Sequence, residues 1–279
     1  MAKWFGIFTL MVCCGFNINA QEIMYSSDSA KVYSPDTVTL HIAPRKLQPV
    51  RAPKTIMHEL TFGFRMATNG WSIYSELGKV KTGDQKRADI FHNLLYYQLE
   101  FTEKKDPKEQ KIPGATTNRF GGSSSYKYGK INSLYAVKIG VGYQKLIAGK
   151  PDTGCVSIHW ANTVGFALGL LKPYYLNVES DPHTIKFSDA TQDHFLDQNS
   201  IDGYAGFSKG LDELTFVPGG HIRSAINFDF STNKHNVIGV QVGVNAEFYS
   251  QKMQLMASSL PPRSAYYDMF IAFQFGKRW

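Results

Sequence analysis

The stretch Cys155–Leu170 (CVSIHWANTVGFALGL) constrains the fold of this chain more than any other. Large apolar side chains alternate with small or polar ones, and Asn162 is the only polar residue on the apolar face. A period of two over this length predicts a β-strand whose faces meet different surroundings. Strands of soluble proteins usually have about five or six residues, whereas a tilted strand across a bilayer needs roughly 9–11. We therefore predict a membrane barrel strand, with lipid outside and a polar lumen inside.

The same alternation recurs from residue 58 to the C-terminus. It predicts an all-β, antiparallel transmembrane β-barrel of about eight strands, with a long ordered extracellular loop. The first strand runs from residue 58 to the Asn69-Gly70 turn, and the others lie near residues 71–80, 91–103, 132–146, 155–170, 220–231, 237–249 and 264–277.

Connection lengths give a second test of the barrel. Long segments (about 104–131 and 172–219) alternate with short turns, as expected for outer loops and periplasmic turns. The tight Asn69-Gly70 turn after the first strand breaks this alternation. A further strand within residues 21–56, and hence a barrel of ten strands, therefore stays open.

The N-terminus has the features of a secretory signal peptide. Lys3 supplies a positive charge, Trp4–Phe16 is a short apolar segment, and Asn19-Ala20 resembles a cleavage site. We expect the protein in the outer membrane of a Gram-negative bacterium. The predicted organisation is a signal peptide (1–20), a periplasmic N-terminal arm (21–56) and an outer-membrane β-barrel (57–279).

Lipidation at Cys13 or Cys14 is not favoured, because no small residue stands before either cysteine where lipoprotein processing needs one. The formal charge of +7 would suggest nucleic acid in a cytosolic protein. In a secreted, aromatic chain the expected anions are lipid headgroups and lipopolysaccharide, so we expect no nucleic acid. A basic segment could bind a periplasmic protein or inner-leaflet phosphates, or act only as a linker; its charged residues are Arg45, Lys46, Arg51 and Lys54.

Several motifs resemble those of small outer-membrane β-barrel proteins of the Bacteroidota. They are INAQE at the cleavage site, HELTFGFRMATNGWSIYSELGKVK (58–81), GKINSLYAVKIGVGYQKLIAGKPDTG (129–154), GFALGLLKPYYL (165–176) and the ending FIAFQFGKRW (270–279). The resemblance implies the compartment and the fold. It also implies that Phe273, Phe275 and Trp279 form the terminal signal for barrel assembly. Some resembling barrels are accessory subunits of machines for protein secretion or barrel assembly, and no catalytic motif transfers.

The predicted phasing sends charged side chains of both signs into the lumen. An eight-stranded barrel is only wide enough for side chains to fill, so these charges should pair with one another. A salt-bridged plug is the main interpretation and a narrow ion path the alternative. The predicted lumen residues are Glu59, Arg65, Glu76, Glu100, Lys138, His159, Arg223, Asp229, Glu247 and Asp268.

A hydrolase is a second possibility, because Ser157 and His159 share one face of a strand and Asp229 faces inward on another. Ser157 lies at the short-turn end, however, whereas outer-membrane hydrolases work at the outer rim. No nucleophile-elbow pattern flanks it. The acidic residues of the long loop lack EF-hand spacing, so we predict neither a metal site nor a cofactor.

The segment 172–219 is too aromatic for a free tail, and an ordered loop of this length usually has a function. We predict one short helix within residues 189–198 and contacts with the barrel mouth or a partner. The aromatic candidates for this contact are Tyr174, Tyr175, Phe187, Phe195, Tyr204, Phe207 and Phe216.

Together these features predict a non-enzymatic barrel that serves a larger outer-membrane assembly, such as protein secretion or barrel-assembly machinery. Its expected partners are outer-membrane or periplasmic proteins. A lipid hydrolase or lipid A-modifying enzyme, and a narrow stand-alone channel, are the alternatives.

Overall fold

Long antiparallel strands dominate the computed structural model of the chain. The structure describes residues 56–81, 93–117, 123–149, 155–178, 184–188, 190–232, 235–257 and 261–279. Its strands in chain order are β1 (His58–Ala67), β2 (Gly70–Lys81), β3 (Asn93–Lys104), β4 (Lys111–Thr117), β5 (Ser123–Lys127), β6 (Asn132–Ala148), β7 (Ser157–Pro173), β8 (Tyr175–Val178), β9 (Thr184–Lys186), β10 (Ile201–Tyr204), β11 (Thr215–Asp229), β12 (Asn236–Met253) and β13 (Arg263–Arg278).

Eight of these strands close into an antiparallel barrel in the order β1-β13-β12-β11-β7-β6-β3-β2. The first and last strands pair from Glu59 opposite Arg278 to Ala67 opposite Phe270. The amides of Met57 and His58 also donate to the carbonyl of Trp279, each at 2.9 Å. The predicted barrel is confirmed, and it closes with eight strands rather than ten.

The alternation in sequence becomes an alternation in burial because successive side chains of a strand point to opposite faces. Along β1, buried Thr61 and Arg65 alternate with exposed Phe62, Phe64 and Met66. The other barrel strands follow the same pattern. The barrel therefore has an apolar exterior and a polar interior, which is the reverse of a soluble β-protein.

Strand β11 begins at Thr215, earlier than the start near residue 220 that its sequence predicts. Pro218, Gly219 and Gly220 give this part of the chain the composition of a loop. The pairing with β12 starts only at Gly219, so one edge of β11 is open at Pro218 while β7 pairs with the other. A strand tolerates proline at such an edge because no hydrogen-bond donor is needed there.

The barrel has a loop end and a turn end. The loop end carries the connections β1–β2, β3–β6, β7–β11 and β12–β13. The turn end carries the connections β2–β3, β6–β7 and β11–β12, and β1 begins and β13 ends there. The two long connections at the loop end fold together as a cap, which we define as residues 105–131 and 174–214. In its described residues the cap contains a two-stranded sheet (β4-β5), a three-stranded sheet (β10-β8-β9) and one helix, α1 (Gln192–Leu196).

The cap has its own hydrophobic core. Helix α1 confirms the short helix expected within residues 189–198, and its Phe195 is fully buried in this core. No helix in the described ranges is long and apolar enough to span a membrane. The other buried core residues of the cap are Tyr126, Tyr174, Leu176, Val178, Ile185 and Ile201.

A strap crosses the mouth of the barrel at the loop end. It is the segment Met253–Ala257, which continues from β12 towards the start of β6. The carbonyl of Leu255 accepts hydrogen bonds from the amides of Ile131 (2.8 Å) and Asn132 (3.2 Å). Met253 and Leu255 pack into an apolar cluster with inward-facing side chains of β6, β7, β11 and β12, which covers the lumen from this side.

Candidate functional site

The centre of the lumen is an ion-pair network whose members come from β1, β3, β6 and β12 and meet across the barrel. The amine of Lys138 lies 2.9 Å from Glu100 and 2.6 Å from Glu247, and the guanidinium of Arg65 lies 2.5 Å from Glu100. All four side chains are almost fully buried. Because buried charge is tolerated only when it is paired, each side chain fixes the position of the others.

The network extends towards the loop end through Lys104, which lies 2.9 Å from Glu247 and also pairs with Asp268. Tyr249 donates its hydroxyl proton to Glu247 at 2.9 Å. Asn245 donates to Glu247 at 2.8 Å and to Asp268 at 3.1 Å. These neutral donors satisfy carboxylate oxygens that the lysines leave open.

A second group spans the lumen from β11 and β7 to β3 and β2. Arg223 binds Glu76 at 3.0 Å and donates to the hydroxyl of Thr163 at 2.7 Å. Tyr96 completes the contact, with its hydroxyl 2.8 Å from that of Thr163. A longer contact of 3.7 Å from Arg223 to Glu100 joins this group to the central network.

The turn end has its own pair of carboxylates. Arg278 bridges Glu59 at 2.5 Å and Asp229 at 2.6 Å. The carboxylate of Asp229 also accepts a hydrogen bond from the amide of Ser231 at 2.7 Å. Arg278 therefore links the last barrel strand, β13, to β1 on one side and to β11 beyond β12 on the other.

The structure places all ten sequence-predicted lumen residues inside the barrel, each with 7% or less of its surface exposed. Lys104 and Arg278 are lumen cations that the sequence argument missed. Each lies one residue beyond the predicted end of its strand, at 103 and at 277. Extending the alternation by one step, from Thr102 and from Gly276, would have found both.

The three weak catalytic candidates lie deep in the lumen at the turn end. Ser157 is fully buried and its hydroxyl has no hydrogen-bond partner in the described part of the chain, and His159 is 2% exposed. Asp229 is opposite Ser157 across the β7–β11 pair, but its carboxylate is held by Arg278. All three side chains are buried in the filled lumen, so a lipid substrate cannot reach them. Within the described ranges, no cluster of His, Cys, Asp and Glu has a metal-binding arrangement.

The aromatic candidates for partner binding divide into two sets. Tyr174 and Phe195 are buried in the cap core, so they cannot contact a partner as predicted. Phe187 and Tyr204 pack against the same core and Tyr175 is half-buried. Two rings are well exposed, and only one of them belongs to the cap; they are Phe207 (59%) and Phe216 (60%, on the barrel wall).

Ion pairs join the start and the end of the first cap segment, residues 105–131. Glu109 binds Lys127 at 2.6 Å and also pairs with Lys130. Burial lowers the pKa of Lys130 to about 8, against the raising effect of Glu109. Burial also lowers the pKa of Lys127, but its hydrogen bond to Glu109 outweighs this, and the net shift is upward. Burial raises the pKa of Tyr174 to about 12.

A ladder of aromatic rings follows the outside of the barrel near the loop end. Trp71 lies between Phe64 and Phe101, with ring centroids 6.3 Å and 6.2 Å away. Phe101 stacks on Tyr135 at 6.0 Å, and the exposed cap residue Phe207 meets the edge of Tyr135 at 6.0 Å. Such a row resembles the aromatic girdle of membrane barrels at the level of the lipid headgroups.

The C-terminal aromatic residues lie on the exterior. Phe273, Phe275 and Trp279 are 54%, 63% and 54% exposed. Their role as an assembly signal stays a prediction. The signal peptide, the basic residues Arg45, Lys46, Arg51 and Lys54, and almost all of the N-terminal arm lie outside the described residues.

Several solved structures, including the following three, are similar to this chain. The N-terminal β-barrel domain of Pseudomonas aeruginosa OprF is 8% identical, with 80% of this chain and 96% of that chain covered and a TM-score of 0.33. Neisserial surface protein A (NspA) is 7% identical, with 80% and 94% covered and a TM-score of 0.29. Ail of Yersinia pestis, solved with the heparin analogue sucrose octasulfate, is 6% identical, with 80% and 99% covered and a TM-score of 0.33.

No family model and no curated protein matches the chain. The identities to the solved barrels are too low to indicate a shared function. The resemblance to barrels of the Bacteroidota stays a prediction.

Proposed function

We propose that this protein is a closed outer-membrane barrel that anchors its cap at the cell surface, where the cap contacts other envelope proteins. In this role it is a subunit or accessory of a larger outer-membrane assembly. The observation that carries the proposal is the contrast between a lumen filled with paired charges and long loops that fold into an ordered cap.

The membrane location is supported by the exterior of the barrel. Its exposed side chains are large and apolar, with Phe166, Met269 and Tyr97 exposed by 83%, 65% and 63%. A continuous apolar band of this kind is not stable against water, and it matches the lipid-facing band of membrane barrels. The barrel strands of 10 to 18 residues are long enough to cross the bilayer with a tilt.

The closed lumen argues against a channel. Lys138, Arg65 and Arg223 meet at Glu100 in the centre of the lumen, Arg278 pairs at the turn end, and all of these side chains are buried. The strap and its apolar cluster cover the loop end. An ion would have to break these pairs in order to pass, so we expect the barrel to be an anchor.

The cap supports a role in binding. Loops of this length that keep their own hydrophobic core are usually functional, because ordering them has a large entropic cost. Phe207 and Leu211 remain 59% and 44% exposed on one cap segment. Their neighbours Lys209, Asp212 and Glu213 are also exposed, so this segment offers both apolar and charged contacts.

Site-specific photo-crosslinking in intact cells tests the proposal. A photoreactive residue in place of Leu211 should crosslink to a defined protein, whereas the same residue in place of Phe166 on the barrel wall should crosslink only to lipid. Gentle extraction should recover the same partner in a fixed stoichiometry. Recovery of the chain alone, with no protein crosslink from position 211, would refute the accessory role.

Planar bilayer recordings test the closed lumen separately. We expect no single-channel currents from the purified protein. Regular conductance steps would instead support the narrow channel and contradict the anchor.

A further inference from the structure

The short β1–β2 connection leaves a notch in the loop end of the barrel. Only Thr68 and Asn69 join these strands, whereas the adjacent β3 continues into the cap. The cap segment Lys105–Glu109 stands beside the notch, and the amide of Lys105 donates to the carbonyl of Asn69 at 2.7 Å. The result is an open groove of about 510 Å³ on the outside of the barrel. The early turn that breaks the loop pattern in sequence is therefore the feature that forms this groove.

The floor of the groove is apolar and rigid. It consists of outward-facing Phe64, Met66 and Trp71, which belong to the same exterior face as the rest of the apolar band. Trp71 is fixed by its ring contacts to Phe64 and Phe101 and by a 2.6 Å hydrogen bond from its indole nitrogen to Glu103. A floor of fixed aromatic rings loses little conformational entropy when a ligand binds.

The rim of the groove carries one exposed cation. Lys105 lines it and makes no ion pair with any residue that the structure describes. Two carboxylates also line it, Asp106 and Glu109. Glu109 is paired with Lys127 and Lys130, and Asp106 accepts a hydrogen bond from the amide of Lys108 at 2.9 Å, so Lys105 is the rim cation that remains available to a phosphate.

We infer that this groove binds one lipid of the surrounding leaflet that carries a phosphorylated headgroup. Its acyl chain lies along Phe64, Met66 and Trp71, and its phosphate meets Lys105. The floor is continuous with the apolar wall, so whatever covers the wall also reaches the groove.

The inference rests on the proposed membrane location, and one preparation tests both. The mature chain is reconstituted into vesicles of phosphatidylglycerol and phosphatidylcholine in equal amounts. Flotation with the vesicles reports membrane insertion. Gentle extraction and native mass spectrometry then report the retained lipid, and we expect one phosphatidylglycerol per chain. A chain that does not float refutes the membrane location, whereas a chain that floats but retains no lipid refutes only the groove.

Two pairs of variants locate the bound lipid. Met66→Trp should fill the groove and abolish retention, while Met269→Trp should not, because Met269 is equally exposed at the same end of the barrel but does not line the groove. Lys105→Glu should lower the preference for phosphatidylglycerol by about fivefold, the effect of one lysine near a charged lipid surface. Lys209→Glu in the cap is its control. Retention unchanged in Met66→Trp, or a second copy of the chain in place of the lipid, would overturn the inference.

Discussion

The lumen of the barrel and the core of the cap are both sealed interiors, yet their chemistry is opposite. The lumen is filled with ion pairs around Glu100 and Glu247, whereas the cap core contains Phe195, Leu176 and Ile201. The difference follows from what lies outside each of them. Barrel strands use their apolar faces on the exterior, so their polar faces must form the interior. The cap sheets use their apolar faces on each other, as in soluble proteins.

Removing one carboxylate from the lumen should have the largest effect on stability. Glu100→Ala leaves Arg65, Lys138 and Arg223 without their shared anion in a buried site. We expect a loss of roughly 3–5 kcal/mol in the free energy of unfolding, measured by urea titration of the gel shift between folded and unfolded barrel.

A double variant sharpens this comparison. Glu100→Leu combined with Lys138→Met removes both charges of one pair and should recover part of the loss. If Glu100→Ala costs less than about 1 kcal/mol, as an exposed pair would, the lumen charges are hydrated and the sealed-interior description is wrong.

The cap core should respond to lost volume rather than to lost charge. Leu176→Ala removes a fully buried side chain and should destabilise the cap by about 3 kcal/mol. Near-ultraviolet circular dichroism and limited proteolysis should show the loss in the cap, with the barrel gel shift unchanged. Leu211→Ala, at an exposed position of the cap, is the control. Simultaneous loss of the barrel would show that the two interiors fold as one unit.

The stability of the cap should rise with pH from about 8 towards 9, below the range in which Tyr174 ionises in the unfolded state. The folded pKa of Lys130 is about 8, below its ordinary value of 10.5, so in this window the unfolded cap binds more protons than the folded cap. Raising the pH weakens this proton binding and so destabilises the unfolded state relative to the folded one. Lys127 stays protonated there because its pKa is raised. The urea midpoint of the cap signal measures the effect. Lys130→Met should remove the rise, and an equal slope in this variant would assign it to another group.

The smallest effect is expected on the outside of the barrel. Phe166→Leu exchanges one lipid-facing apolar side chain for another and should change the stability in lipid by about 0.5 kcal/mol or less. Urea titration in vesicles measures it beside the wild type. A loss as large as that of Leu176→Ala would mean that this wall packs against protein.

The sequence predicts the barrel well, because a period of two that persists over ten or more residues is rare outside long β-strands. It also predicts which charges face inward, since strand parity decides that, and Lys104 and Arg278 were missed only where strand ends were placed one residue short. The cap is different. Strands such as Thr184–Lys186 are too short to show a period, so the sequence cannot distinguish buried Tyr174 and Phe195 from exposed Phe207. The groove depends on what stands beside a tight turn, and no local pattern encodes that.

The strap has a consequence for the order of folding. Its hydrogen bond from Asn132 to the carbonyl of Gln254 joins positions 122 residues apart, so the strap forms only after β6 and β12 have come together. Until the strap forms, water can enter the lumen from this end. An ion pair in water is weak, so charged side chains that form an incorrect pair in a hydrated lumen can separate again. A strap that forms only after β6 and β12 are in place lets the charges find their partners before the low dielectric fixes their positions.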